Sequence, residues 1–287
     1  NIMDAHLTLG NWLVRLKRGE EAIESFRRAL ALKPDDDIAL GNLARLYLSR
    51  GRKSDAEDAI RVFETALARN PKNPQAWFQL AVLSMDMGDA DRAKHSFVRA
   101  AEENPKMGAS WIGQGALAFA ASRLAEAEEM IRKGLELEPE AKGGRYNLAR
   151  VLEARGRLDE AESLYRAELS TYPDHGKARF NLAQLERQRG NVPGYLNELR
   201  LATEKAPDFG PAFFFLAREE LSAGRLDAAR DLAQRGIKVD NISEVAPLGH
   251  YVLADILSRQ GKPKEAQEEA AKGKALEVRK RHSLDVG

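Results

Sequence analysis

The 287-residue chain has no cysteine. Disulfides, thiolate nucleophiles, iron–sulfur clusters and cysteine-based zinc sites are therefore excluded, while a cytoplasmic and a periplasmic setting both stay open. An excess of one charge is also lacking: 45 Lys and Arg face 44 Asp and Glu, for a net charge of +1. Without a global field there is nothing to draw the chain to nucleic acid or anionic lipid, so a partner has to be recognised locally. Long apolar runs are missing as well. Stretches such as Pro211 to Ala217 and Gly115 to Ala121 fall well short of the roughly 20 residues that span a bilayer, which predicts no membrane insertion. Aromatic residues make up only 7%, against 43% hydrophobic and 31% charged, the profile of a soluble, helix-rich chain. The chain opens on Asn1 with no initiator Met, basic leader or apolar core segment, and reads as a mature or excised piece.

What the sequence does have is a period. Pro34, Pro71, Pro105, Pro139, Pro173 and Pro207 stand 37, 34, 34, 34 and 34 residues apart. Twelve residues before them come Ala22, Ala59, Ala93, Ala127, Ala161 and then Tyr195; eight before come Phe26, Phe63, Phe97, Ile131, Tyr165 and Leu199. A second apolar set recurs upstream, as Leu40 to Ala44, Trp77 to Ala81, Arg145 to Ala149, Arg179 to Ala183 and Phe213 to Ala217. Each unit therefore carries two amphipathic helical patterns. Between them falls Gly51, Gly88, Gly156, Gly190, Gly224 or Gly261, suited to the left-handed residue that closes a helix. Each proline then stops the second helix.

On Trp77, Leu80, Ala81, Ala93, Phe97 and Pro105, the pattern resembles the tetratricopeptide repeat. The resemblance covers eight units, at about 3–36, 37–73, 74–107, 108–141, 142–175, 176–209, 210–246 and 247–280, with a 281–287 tail. Three extra residues fall around Ser54 to Glu57 and three more after the seventh unit. The resemblance implies an all-α fold: one domain, a right-handed superhelical solenoid of antiparallel helix pairs whose first helices line a concave face. Stacking follows from physics, since one pair cannot bury its own apolar stripe. In the sixth unit Tyr195 replaces the usual Ala after Pro193 and Gly194, predicting a helix that starts at Pro193 and is slightly displaced. Neither end carries an evident polar capping helix, which leaves self-association through the terminal repeats open.

The sequence offers no catalytic constellation and no metal or cofactor site. His6, His95, His175, His250 and His282 share no ligand spacing, and His-Glu-x-x-His is absent. His6 and His250 fall in the phase of Trp77 and Trp111 and read as packing residues. The carboxylate pairs Glu128-Glu129 and Glu268-Glu269 read as solvated helix faces. Gly113-Gln114-Gly115 with Ala118 formally matches a dinucleotide fingerprint, but it lies inside a helix rather than after a strand, so close helix packing is expected. Asn241-Ile242-Ser243 is a formal glycosylation acceptor. Lys272, Lys274, Arg279, Lys280 and Arg281 read as a helix terminus that complements the dipole.

Function then rests on the positions that line the family's concave groove. The fifth residues of the units include Phe78, Tyr146, Phe180, Phe214 and Tyr251, with Phe215 beside them. They are either ligand anchors or part of the packing between helices. The sixth residues include Asn42, Gln79, Asn147 and Asn181. Amides so placed could read an extended backbone, and the set is similar to the asparagine ladder of the repeat arm of O-linked N-acetylglucosamine transferases; local hydrogen bonding is the alternative. Arg45, Arg150 and Arg218, with Arg15, Arg187 and Arg259, make the groove locally basic, for a carboxylate-bearing peptide or for pairing within the groove such as Arg150 with Glu153. No fifth residue is Lys, so the family's chaperone-tail clamp is not expected. The resemblance implies a non-catalytic module that binds a protein segment of unknown identity. Its alternatives are the repeat arm of a larger enzyme (glycosyltransferase-like or sulfatase-like) or a self-assembling scaffold. The short loops and Ala/Arg/Glu-rich second helices look bacterial.

Overall fold

The computed structural model describes residues 2–50, 53–240 and 243–284, and side chains within them other than 48–56 and 279–284. Gly51, Asn241 and Ile242, with the side chains of Ser54, Arg279, Lys280, Arg281 and His282, lie outside the described residues. Sixteen α-helices and no strand occur among the described residues, as expected for an array of helix pairs. They fall into two compact units, Asn1–Arg155 and Gly156–Gly287.

The first unit holds α1 (Ile2–Arg15), α2 (Gly19–Leu32), α3 (Asp37–Arg50), α4 (Lys53–Arg69), α5 (Pro74–Asp86), α6 (Ala90–Glu103), α7 (Gly108–Ala120), α8 (Leu124–Leu137) and α9 (Gly144–Ala154). The second holds α10 (Leu158–Thr171), α11 (Gly176–Gln188), α12 (Val192–Lys205), α13 (Gly210–Ser222), α14 (Leu226–Val239), α15 (Ala246–Arg259) and α16 (Pro263–Leu284). Within a unit each odd helix packs on the even helices before and after it, and odd helices also touch one another: α3 with α5, α5 with α7 and α7 with α9 in the first unit, α11 with α13 and α13 with α15 in the second. The odd, or first, helices thus form a continuous row within each unit.

Local chemistry sets the helix ends. Side-chain oxygens of Asp36, Asn73, Asp89 and Asn191 accept the N–H of Ala39, Ala76, Arg92 and Gly194 at 3.0–3.1 Å, satisfying donors that the first turn leaves open. Lys33, Asn104, Glu138, Tyr172 and Ala206, each before a proline, have φ between −125° and −140°, because the proline ring bars the helical region to its predecessor. The turn inside five hairpins uses Gly88, Gly156, Gly190, Gly224 or Gly261 at φ 75–79°. Two hairpins reach the same region without glycine, at Lys17 (φ 59°) and Ser122 (φ 58°).

The core is the alternation of small and large residues read from the sequence. Ala22, Ala59, Ala93, Ala127 and Ala161 are 0% exposed, and Phe26, Phe63, Phe97, Ile131 and Tyr165 at most 1%. Burying each large side chain stabilises by about 1.5–3 kcal/mol. The facing helix answers with glycine: a Cβ on Gly113 would lie 2.4 Å from the Phe97 ring, and one on Gly115 would lie 2.5 Å from Ile131 and 3.0 Å from the Ala127 carbonyl. Both glycines sit inside α7, so the dinucleotide-like spacing is a close-packing device. In the sixth repeat α12 begins at Val192, with Pro193 in its first turn, one residue before the expected start. Tyr195 is accommodated by burial, 2% exposed, and its hydroxyl bonds Glu219 at 3.3 Å.

Two stability outcomes follow. A left-handed non-glycine residue costs about 1–2 kcal/mol, against about 0.5–1 kcal/mol for the extra freedom glycine loses on folding; Lys17→Gly and Ser122→Gly should each stabilise by roughly 0.5–1 kcal/mol in urea titrations. Gly115→Ala should destabilise by about 1–3 kcal/mol through overpacking, and a neutral effect in the same titration would show that α7 and α8 have room to part.

Candidate functional site

Each unit presents its own row of predicted groove residues on first helices. In the first unit α3 carries Asn42 and Arg45, α5 carries Phe78 and Gln79, and α9 carries Tyr146, Asn147 and Arg150. Arg45 and Gln79 meet across a cleft of 140 Å³ floored by Phe63, Val82 and Leu83. Phe78 is half-buried, its ring tilted over Phe97 at 5.8 Å. The Arg150 guanidinium lies 4.5 Å from the Phe119 ring centre and 5.7 Å from that of Tyr146. Burial pushes the Tyr146 phenol up, against the opposing pull of Arg150, so it stays protonated at neutral pH.

In the second unit α11 carries Phe180 and Asn181, α13 carries Phe214, Phe215 and Arg218, and α15 carries Tyr251. Phe180 meets Phe215 edge-on at 5.0 Å and Phe209 at 5.8 Å. Arg218 lies 4.8 Å over Phe215 and donates to Glu219 at 3.2 Å. Phe215, Phe180 and Arg218 are all half-buried.

Several expectations need correcting. Phe214 is no groove anchor: it is 0% exposed, and its ring fills the space left by Gly236 and Gly249, where a Cβ would come within 2.5–2.6 Å. Within the run Phe213 to Phe215 only the third ring reaches the surface row. Tyr251 packs against α16, 2.8 Å from where a Gly273 Cβ would stand. The asparagines spend amide N–H groups at home. Asn42 donates to Asn11 at 2.8 Å and accepts from Arg45 at 3.1 Å; Asn147 donates to the Gly143 carbonyl at 2.9 Å; Asn181 donates to the buried Tyr165 hydroxyl at 3.1 Å. Local hydrogen bonding, the second of the two readings, is what these three amides do. Phe119 and Phe209, the rings that Arg150 and Phe180 meet, carry no periodic signal in the sequence that marks them out.

The carboxylate pairs are only half solvated. Glu129 and Glu268 are exposed, but Glu128 is 8% exposed, bonded to Arg132 at 2.7 Å and to Arg155. In the second unit, Glu162 bonds Arg166 at 2.5 Å and Arg189 in the same manner. Glu269 is held by His250 at 2.8 Å and Lys272 at 2.5 Å, so His250 is a hydrogen-bonding as well as a packing residue. His175 similarly meets the fully buried Glu168 at 2.9 Å. No group of three or more His, Cys, Asp or Glu able to hold a metal exists among the described residues, and no described helix is long and apolar enough to cross a membrane.

An all-α array of two-helix repeats with a left-handed residue in seven hairpin turns among the described residues defines a class, and comparison with known proteins names it. A family model described as "Cilia and flagella-associated protein 70 C-terminal domain" matches residues 2–213, and one described as "Tetratricopeptide repeat" matches residues 216–276. The chain belongs to the tetratricopeptide repeat family. It is 34% identical over 88 residues (30% of this chain, 25% of the relative) to the "Heat-shock protein cognate (HSC) co-chaperone sgt12" of Aspergillus fumigatus. It is 33% identical over 85 residues (30% and 14%) to the "Peroxisomal targeting signal receptor" of Eremothecium gossypii. The chain thus spans a quarter or less of the length of these relatives. A solved tetratricopeptide repeat protein from Parabacteroides merdae shares the fold with a TM-score of 0.62 at 18% identity, covering 86% of this chain and 98% of that one. Fungal sequences and a bacterial structure both match, so the repeat idiom does not mark a kingdom.

The ion pairs carry a pH signature. Hydrogen bonding to Arg166, with the further pull of Arg189 and against burial, holds the Glu162 carboxyl below the usual carboxylate range. A depressed pKa contributes stability that is present above the ordinary range and lost as pH falls through the folded value. Arg189→Gln should therefore flatten the acid limb of the stability curve while leaving its slope near neutrality unchanged, measured by urea midpoints between about pH 3 and pH 7, the span around the ordinary carboxylate pKa.

Proposed function

We propose that the chain is a non-catalytic protein-interaction module whose first-helix rows bind an extended segment of a partner protein. The observation that carries this is the pairing of guanidinium groups with half-buried rings: Arg150 on Phe119 and Tyr146 in the first unit, Arg218 on Phe215 in the second. A guanidinium held over a ring still carries N–H groups that suit a carboxylate or a peptide carbonyl. The ring beneath offers apolar area that is already ordered, so little side-chain entropy is lost on contact. Gln79 and Arg45 around the cleft beside Phe63 extend the same chemistry along the first unit, with Phe78 beside them. Asn42, Asn147 and Asn181 act as braces that fix the row rather than as readers of the peptide backbone.

This chemistry predicts a segment that alternates apolar and acidic side chains. Two of the relatives are named as a co-chaperone and a targeting-signal receptor, which accords with a binding module. The lysine that the family's chaperone-tail clamp needs at the fifth place is absent from every repeat, so the partner differs from such tails.

Selection from a displayed library of random peptides tests the reading. Selected sequences should carry acid beside an aromatic or aliphatic residue, and Phe215→Ala with Arg218→Gln, or Arg150→Gln alone, should weaken binding at least tenfold, about 1.4 kcal/mol. An empty selection, or peptides that bind the folded variants as tightly as the parent, would remove the first-helix row as the binding surface.

A further inference from the structure

A second concavity lies on the other side of the first unit. Its floor is made by Leu30 and Pro34 from α2 and its end, Leu40 and Leu43 from α3, and Val62 and Ala66 from α4; it encloses 440 Å³. On α3, residues 40, 43 and 47 share one helical face and Asn42 and Arg45 the opposite one, so this cleft is separate from the first-helix row.

Its polar side chains are six: Arg27, Tyr47, Asp58, Arg61, Thr65 and Arg69. Arg61 is paired with Asp58 and is electrically spent. Arg27 donates to the Tyr47 hydroxyl at 2.6 Å, its guanidinium 5.8 Å from the ring centre. Neither Arg27 nor Arg69 has a carboxylate partner among the described residues. Tyr47 is 1% exposed; its oxygen accepts from Arg27, while its own O–H has no acceptor among the described residues. A buried hydroxyl donor without an acceptor is costly. Here it lines a cleft beside Arg27 and Arg69, both exposed and neither paired with a carboxylate among the described residues, so one anionic oxygen placed there would satisfy the buried hydroxyl and meet both guanidinium groups.

We propose that this cleft binds a small aliphatic carboxylate, with its carboxylate held by Arg27, Arg69 and Tyr47 and its chain laid over Leu30, Leu40, Leu43 and Val62. The volume falls within the roughly 300–1,000 Å³ of small-molecule sites, which are likewise apolar with a few convergent polar groups. The α4 residues that line it, 58 to 69, extend about 16 Å at 1.5 Å per residue, long enough for an extended aliphatic chain of moderate size. The charge pattern selects a carboxylate over an alcohol of the same length.

The experiment uses the full chain with decanoate as probe, decan-1-ol as its uncharged counterpart, and an acetylated acidic peptide ending in leucine as a competitor. Calorimetry should give one saturable site for decanoate, at least tenfold tighter than for decan-1-ol, and amide chemical shifts should move in α2, α3 and α4. Arg27→Gln with Arg69→Gln should abolish the preference for the acid, and Tyr47→Phe should weaken decanoate several-fold without changing the alcohol. Arg150→Gln, on the first-helix row, should leave both unchanged. The proposal is overturned if decanoate does not saturate, if the alcohol binds as well, if the shifts map outside these helices, or if the double variant, folded by circular dichroism, retains the preference. Displacement of decanoate by the peptide at lower concentration would reassign the cleft to a protein C-terminus and overturn it too.

Discussion

A helix hairpin has an apolar stripe on each flank and can cover only one with its own partner, and that deficit governs the whole molecule. The remedy is contact with the next hairpin, made close by alanine or glycine on one helix and filled by a large side chain on the other. Gly113 beneath the Phe97 ring of the preceding hairpin and Gly115 beneath Ile131 within its own show how narrow the tolerance is, since a single methyl group would overlap either neighbour. Because these contacts are renewed from hairpin to hairpin, the residues that maintain them recur with the period, while the others are released for different uses.

Arginine shows the division of labour. On second helices and at the turns it is matched with carboxylates, as in Arg132 and Arg155 around Glu128 or Arg166 and Arg189 around Glu162. Most of these pairs are at least partly exposed, and each contributes little alone; Arg132 and Arg166 hold the acid within its own helix, whereas Arg155 and Arg189 tie it to the next hairpin. Elsewhere arginine lies over rings, as Arg150 does over Phe119 and Arg218 over Phe215 while also bonding Glu219. The same residue type thus joins carboxylates in one place and covers aromatic rings in another.

Much of this was readable in advance, because it is periodic. Proline marked the ends of second helices and glycine marked most of the turns, each for a backbone reason that acts locally. The turns at Lys17 and Ser122 were not marked, since a lone polar residue at φ near +58° leaves no trace in composition. The individual fate of groove residues was also hidden. Phe213, Phe214 and Phe215 are identical in type and adjacent, yet only Phe215 reaches the surface, and what separates them is the presence of Gly236 and Gly249 over the middle ring. Asn147 and Asn181 look like a ladder in sequence, but they turn to Gly143 and Tyr165, partners that only the folded chain supplies. Glu128 and Glu129 are likewise neighbours, and one helix step separates an ion-paired acid from an exposed one.

The Glu–Arg–Arg bracket has a further meaning. Glu128, Arg132 and Arg155 recur as Glu162, Arg166 and Arg189, each 34 positions later. A bracket that repeats at the period of the chain does not recognise which copy it joins. Loss of residues 142–175 from the gene would bring Arg189 to the station of Arg155 with the same spacing to Glu128, and a duplication would insert a further bracket of the same kind. The joint is interchangeable, so the length of the array can change by whole repeats in a single genetic event while each surviving seam keeps its chemistry.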